Sequence, residues 1–347
     1  MRVRSNWRLR TRTLEVGRRT LVMGVVNITP DSFSDGGFFL DAEKAVAHAL
    51  QLAEEGADVL DLGAESTRPG SRAGGGEAHA RTIDPAANEG PFIPTHFRQG
   101  RGNGWGTDAV SKGRIDHDES PSMGAPVVSA DEEQARLLPV VEGILKALPH
   151  AVLSVDTYKA ATARAALRAG AEIVNDVSGF TWDREMAGVC AEFGAGVVLS
   201  QTRGRPEEWS AQAQLAPDAL LAAVREGLAA NLAAAQAAGL AAERMVLDPG
   251  YGFGKRFGEN YALLNRQAEL LALGRPLLAG VSRKSFLGRT LAPLFGGDAP
   301  PGERENASLA AMTAAILHGA SLVRVHRVRA AVEAARIADA VLAEGGE

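Results

Sequence analysis

The segment Leu21-Val22-Met23-Gly24-Val25-Val26-Asn27-Ile28-Thr29-Pro30-Asp31-Ser32-Phe33-Ser34-Asp35-Gly36-Gly37 carries an apolar run straight into polar residues and chain breakers. Leu21 to Val26 reads as a strand buried on both faces, and Asn27 is the first side chain able to offer an amide to a ligand. The stretch from Ile28 to Gly37 is too long and too glycine-rich for a minimal turn. It reads equally as an active-site lid or as a surface connection.

Outward from this junction the pattern recurs. Asp41-Ala42-Glu43-Lys44 opens an alanine-rich helix to Glu55, with Asp41 the expected N-cap and Gly56 the expected C-cap. Further apolar bursts lie at Asp58 to Leu62, Val152 to Val155, Glu172 to Val174, Gly196 to Leu199, Met245 to Leu247, Leu277 to Ala279 and Leu322 to Val325. Helical patterns are expected at Asp131 to Ala147, Tyr158 to Ala169, Asp183 to Phe193, Pro217 to Ala238, Asn260 to Leu273, Arg304 to His318 and Val328 to Ala343. A doubly wound open sheet shares this alternation. A repeat count near eight is what selects a TIM (β/α)8 barrel.

From Ser71 to Pro126 the rhythm fails, with many Gly, Pro, His and charged residues and no sustained apolar period. The expectation is one barrel domain over residues 1–347, with residues 72–124 a flexible, disordered insertion after the second strand. A scar on that loop is favoured over a partner-binding arm, because only scattered aromatics such as Phe92, Phe97 and Trp105 could anchor it.

Composition narrows the function. The 347 residues are 46% hydrophobic and 23% charged, and no apolar run approaches the roughly 18 residues of a membrane span. The arginine-rich first 20 residues lack an apolar stretch and cleavage site, so no secretory signal is read and a cytoplasmic location is expected. The single Cys190 excludes an internal disulfide or a multi-cysteine zinc site and reads as a core residue. A net charge of -5 argues against nucleic acid as partner, and the N-terminal arginines read as a solvated edge.

In such a barrel, chemistry sits where strands end and the next loops begin. Those junctions supply Asn27, Asp61, Asp156, Asn175 with Asp176, Gln201 with Arg203, Asp248, Lys284, and Arg324 with His326, while the second loop adds Ser66, Thr67 and Arg68. Asp156, Asn175 and Asp248 suit a flat heterocycle rich in N–H donors; Lys284, Arg324, His326 and Arg68 suit a phosphate or diphosphate. Each has a bland alternative: Asp156 as a helix cap, Asp248 and Asn175 as turn residues, Lys284 and Arg324 in surface pairs, His326 as a satisfied histidine. Joint placement at strand ends favours the functional reading. Gly250-Tyr251-Gly252-Phe253-Gly254-Lys255 fails the phosphate-loop spacing, with Arg256 where Ser or Thr is needed. In Ser282-Arg283-Lys284-Ser285, two adjacent cations flanked by hydroxyls are placed to hold a charged substrate.

Together with Asp61-Leu62-Gly63-Ala64-Glu65-Ser66-Thr67-Arg68-Pro69-Gly70, Ser154-Val155-Asp156-Thr157-Tyr158-Lys159, Asn175-Asp176-Val177-Ser178-Gly179, Asp248 to Lys255, Ser282 to Phe286 and Arg324-Val325-His326, the Met23 to Gly37 motif resembles dihydropteroate synthase. The likeness covers nearly the whole chain except the insertion. It implies condensation of 6-hydroxymethyl-7,8-dihydropterin diphosphate with p-aminobenzoate, a transferase reaction of folate biosynthesis. It also implies that Asp156, Asn175, Asp248 and Lys284 hold the pterin and that Thr67 touches substrate. Asn27 would help bind Mg²⁺ on the diphosphate, and Arg68, Arg324 and His326 would stabilise the leaving group beside Lys284. Phe33, Pro69, Phe253 and Ser285 would shape the p-aminobenzoate pocket, where sulfonamides compete in this family. A homodimer is implied by the resemblance alone.

The chain departs from the family pattern at Ser200-Gln201-Thr202, where Met-His-Met is usual, at Arg327, where Asp is usual, and at the insertion after Gly70. A catalytically silent pterin-binding paralogue and a methyltetrahydrofolate-type methyltransferase domain are the rival readings. Ser282 to Ser285 and Arg324 to His326 favour the synthase over the methyltransferase.

Overall fold

The computed structural model describes residues 2–28, 38–65 and 128–345. Two compact units are distinguished, Met1–Ala73 with Ala125–Glu347, and Gly74–Gly124. The second, where the insertion is expected, lies outside the described residues.

Two short strands, β1 (Ser5–Arg8) and β2 (Thr13–Val16), pair antiparallel ahead of the barrel. Eight parallel strands then close on themselves: β3 (Leu21–Asn27), β4 (Val59–Gly63), β5 (Leu153–Asp156), β6 (Ile173–Asp176), β7 (Gly196–Ser200), β8 (Met245–Asp248), β9 (Leu277–Ala279) and β10 (Ala320–Val325), with β10 returning to pair with β3. The TIM barrel is thus as the alternation predicts, and each strand lies within two residues of its expected bounds. The helices around it are α1 (Phe38–Glu54), α2 (Ala130–Ala147), α3 (Ala160–Ala169), α4 (Met186–Phe193), α5 (Pro217–Ala237), α6 (Phe257–Arg266), α7 (Ser285–Thr290), α8 (Ala292–Phe295), α9 (Glu305–Leu317) and α10 (Val328–Glu344).

Three expectations are corrected. The first helix begins at Phe38, so Asp41 lies inside it and is not its N-cap, whereas Gly56 does follow its end with φ +103. The helix expected over Asn260 to Leu273 divides into α6 and a 3-10 segment, Gln267–Leu273. The short α7 and α8 after β9 went unread, being too brief to display an apolar period.

Strand parity sorts the side chains. Val22, Val26, Leu60, Leu62, Leu153, Val155, Val197 and Leu199 belong to the core shared with the helices. The alternate positions Leu21, Met23, Val59, Val152, Ile173, Val198, Val246, Leu278 and Leu322 form a separate apolar layer inside the barrel. Trp7, Leu9 and Val16 of the hairpin join that inner layer and close its N-terminal end. Trp7 is 1% exposed, and its indole Nε1 donates to the Arg244 carbonyl at 2.9 Å. Gly196 permits the approach, because a Cβ there would lie 2.5 Å from Leu9 Cδ2. The N-terminal arginines are not merely a solvated edge: Arg2 pairs with Asp339, Arg10 Nε donates to the Ala171 carbonyl, and Arg12 bridges to Glu172.

Candidate active site

Two residues further along the same inward rows, the apolar layer gives way to polar groups. Asp61 stands two after Val59, Ser154 and Asp156 two and four after Val152, Asn175 two after Ile173, Asp248 two after Val246, and Arg324 two after Leu322. One parity therefore delivers a set scattered through the chain to the C-terminal mouth, where barrel enzymes carry their sites.

Asp61, wholly buried, accepts through Oδ2 from Arg324 Nε at 2.6 Å and from Asn175 Nδ2 at 3.1 Å. Arg324 Nη2 donates to Asp156 Oδ2 at 2.6 Å. Asp248 Oδ1 accepts the Gly250 N–H at 2.7 Å. Burial pushes the Asp156 carboxyl up to about 7 against the pull of Arg324, and the nearby Asp61 and Glu133 push the same way. Burial also raises Asp248, opposed by the Gly250 N–H and by Lys284 and Lys255. Burial works against the charge of Arg324, but Asp61 and Asp156 outweigh it and hold the guanidinium above its ordinary range.

The bland alternative for Asp156 is excluded, since α3 begins at Ala160 and its first N–H is taken by Asp183 Oδ2 at 2.8 Å. Lys284 lies in the loop after β9, with Nζ 3.7 Å from the centre of the Phe253 ring. His326 places Nδ1 3.0 Å from the Ser282 hydroxyl. Ser285 is exposed at the start of α7, and Asn27 is exposed at the end of β3. Phe33, Thr67, Arg68 and Pro69 lie outside the described residues.

Some of the polar residues leave the pocket. Asp176, of opposite parity to Asn175, accepts the Ser178 and Phe180 N–H groups at 2.7 and 2.9 Å, and burial pushes it up to about 6. Arg203 pairs with buried Glu259 at 3.1 Å. The adjacent cations do not act together, because Arg283 donates through Nε to Glu305 at 2.5 Å while Lys284 turns to Phe253. Arg283 has φ +59, a costly conformation for a residue with a side chain.

Lys255 carries no signal of its own in the linear chain. Its buried ammonium donates to the carbonyls of Gln201, Gly250 and Phe253 at 3.0, 2.9 and 3.4 Å, tying the loop after β8 to that after β7. Burial lowers it to about 7. Gly250, at φ +72, is required in this knot: a Cβ there would lie 1.8 Å from the Gln201 carbonyl oxygen. Ser200, where the chain departs from the family pattern, is buried and in register with Asp248.

Comparison with known proteins decides the family. A family model described as pterin binding enzyme matches residues 23–88 and 118–326. Dihydropteroate synthase of Mycobacterium leprae is 40% identical over 93% of this chain and 94% of its own, and that of Bacillus subtilis 35% identical over 96% and 92%. The chain belongs to the dihydropteroate synthase family. A solved Xanthomonas albilineans dihydropteroate synthase with 4-aminobenzoic acid shares the fold at TM-score 0.73, with 35% identity over 98% of this chain and 99% of that one. A Yersinia pestis dihydropteroate synthase with a sulfonamide drug complex has TM-score 0.73, 31% identity, and coverage of 97% and 99%.

A magnesium ion is implied by this membership. Among the described residues no group of three or more His, Cys, Asp or Glu side chains could hold a metal by itself. Asn27, exposed at the end of β3, carries an amide oxygen, the hard donor type that such a cation takes.

Proposed function

We propose that the chain joins 6-hydroxymethyl-7,8-dihydropterin diphosphate to p-aminobenzoate, forming 7,8-dihydropteroate and diphosphate, as a transferase of folate biosynthesis. The observation that carries this reading is the convergence of Asp156, Asn175 and Asp248 beside Arg324 at the barrel mouth of a dihydropteroate synthase-family chain. Three acceptors match a ring edge rich in N–H donors. Phe253, with Lys284 against its face, and exposed Ser285 are assigned to the p-aminobenzoate side with Phe33 and Pro69, and Thr67 to substrate contact.

In the reaction, the C–O bond to diphosphate breaks with its electron pair leaving on oxygen. The amine nitrogen of p-aminobenzoate forms the new C–N bond and gives up one proton. The electron-rich pterin ring delocalises the charge left on the methylene carbon, so the protein needs no nucleophile. It must orient the partners and neutralise the departing anion. Arg324, Lys284, His326 and Arg68 are assigned that task. With the Ser282 hydroxyl donating to Nδ1, His326 would keep its proton on Nε2 and present a donor to the anion. Asn27 would help hold Mg²⁺, which supplies charge neutralisation on the diphosphate.

The working form is assigned as a homodimer. Four of the large exposed hydrophobics among the described residues, Phe257, Leu294, Phe295 and Leu317, lie on α6, α8 and α9 and offer an apolar surface for a second copy. The chain is assigned to the cytoplasm; no described helix is long and apolar enough to cross a membrane.

The test is product formation by the purified chain from the pterin diphosphate and labelled p-aminobenzoate, with and without Mg²⁺ and with a competing sulfonamide. Magnesium-dependent, sulfonamide-sensitive dihydropteroate is the expected outcome. Pterin binding without product would instead identify a silent paralogue.

A further inference from the structure

We infer that Asp61 is the positioning residue that couples the pterin-reading floor of the site to its anion-binding rim; the inference rests on the activity proposed above. It lies in the middle of β4 and has no assigned contact with substrate. The geometry gives it two tasks on one atom. Oδ2 accepts from Asn175 Nδ2 at 3.1 Å and from Arg324 Nε at 2.6 Å.

The first bond decides which end of Asn175 meets the ligand. With the amide NH₂ committed to Asp61, the carbonyl oxygen is left for the ring, matching the carboxylates of Asp156 and Asp248 as acceptors. Freed of Asp61, the amide could rotate and set a donor against a donor-rich edge. The second bond fixes the guanidinium plane. Nε is held by Asp61 and Nη2 by Asp156, while Nη1 takes part in neither bond. Once a pterin engages Asp156, the Asp61 bond is what keeps the plane aimed as Nη2 is released.

The burial of Asp61 has no packing explanation. It is 0% exposed, and its other oxygen, Oδ1, has no hydrogen-bond partner among the described residues. A carboxylate buried with one oxygen idle disfavours the fold, and the apolar layer directly below it shows that the barrel interior can be filled without charge. Its orienting role offsets that penalty.

The test uses the full chain with Asp61→Asn, Asp61→Ala, Arg324→Ala and Asn175→Ala, and the doubles that join Asp61→Ala to each of the last two. Turnover, KM for p-aminobenzoate, and affinities for 6-hydroxymethylpterin and inorganic pyrophosphate are measured. Asp61→Asn keeps shape and one acceptor, guarding against simple misfolding. The expectation is a fall in kcat of about 10-fold for Asp61→Asn and about 100-fold for Asp61→Ala, with KM for p-aminobenzoate within about twofold. Each double should be no more than about threefold worse than the worse single, because Asp61 acts through its partners. Additive losses, or unchanged affinity for both pterin and pyrophosphate in Asp61→Ala, overturn the inference. So does an equal loss of every ligand, p-aminobenzoate included, which marks a structural role. If the wild-type chain binds both ligands without turnover, the proposed activity fails while the affinities still judge Asp61. A wild-type chain that binds neither overturns both.

Discussion

The two ends of the barrel are built on the same strands and the same inward parity, yet they are opposite in character. At the N-terminal end, Trp7, Leu9 and Val16 cap a layer of Met23, Val59, Val152, Ile173, Val198, Val246, Leu278 and Leu322. One step along each strand, Asp61, Ser154, Asn175, Ser200 and Asp248 are as deeply buried but polar. The first end lowers free energy by removing apolar surface from water; the second gives up that gain to hold charge in fixed directions. Stability and chemistry are thus divided along the barrel axis, so substitutions at the two ends should fail in different ways.

The largest expected effect is at the mouth. Asp248→Ala and Lys284→Ala should each lower turnover by about 10³-fold or more, about 4 kcal/mol of transition-state stabilisation, with far-ultraviolet circular dichroism unchanged. Near-normal product formation in either would refute the assigned pocket. At the opposite end, Trp7→Ala should cost about 3–4 kcal/mol in urea unfolding while leaving KM of the folded fraction intact at low temperature. A shifted KM would show that the ends are not independent.

Asp156 offers a subtler contrast through pH. Its folded value is about 7 and an unfolded carboxyl titrates near 3.9, so the folded state holds the extra proton between them. Its stability contribution is therefore fullest at the acid end and is lost as pH rises toward 7. Asp156→Asn lacks this loss. The unfolding free energy of wild type minus variant should fall by about 2–3 kcal/mol between pH 5 and pH 8. A flat difference would mean that Arg324 fully compensates the buried charge.

The smallest effect concerns Arg327. It occupies the N-cap of α10 with no side-chain capping bond, at a position where a carboxylate would cap. Arg327→Asp should add about 0.5–1 kcal/mol of stability with turnover within about twofold, read by thermal melting and product assay. Lost activity would give the residue a role in the site that its exposed position does not suggest.

Much of this was legible in the linear chain because strand ends announce themselves. Asn27, Asp156, Asn175 and Asp248 each follow an apolar burst and Arg324 interrupts the last one, and the fold turns those positions into a shared address. Other features were not legible. The hairpin Ser5 to Val16 hides its pattern, Trp7 opposite Leu14 with Leu9 in the turn, in four-residue arms in a segment crowded with arginine. Asp176 looked equivalent to its neighbour Asn175, although parity sends it to the other face. Arg283 looked equivalent to Lys284 until Glu305, distant in sequence, claimed it.

By itself, the sequence determined the barrel, its strand ends and its family, because apolar periodicity and motif order are properties of a line of residues. Only the tertiary structure decided which polar groups face one another. It joined Arg324 to Asp61 and Asp156, bound Lys255 to three carbonyls, and set the hairpin under the apolar layer. Those choices depend on strand register and barrel closure, which bring distant residues within hydrogen-bond reach and which no local stretch encodes.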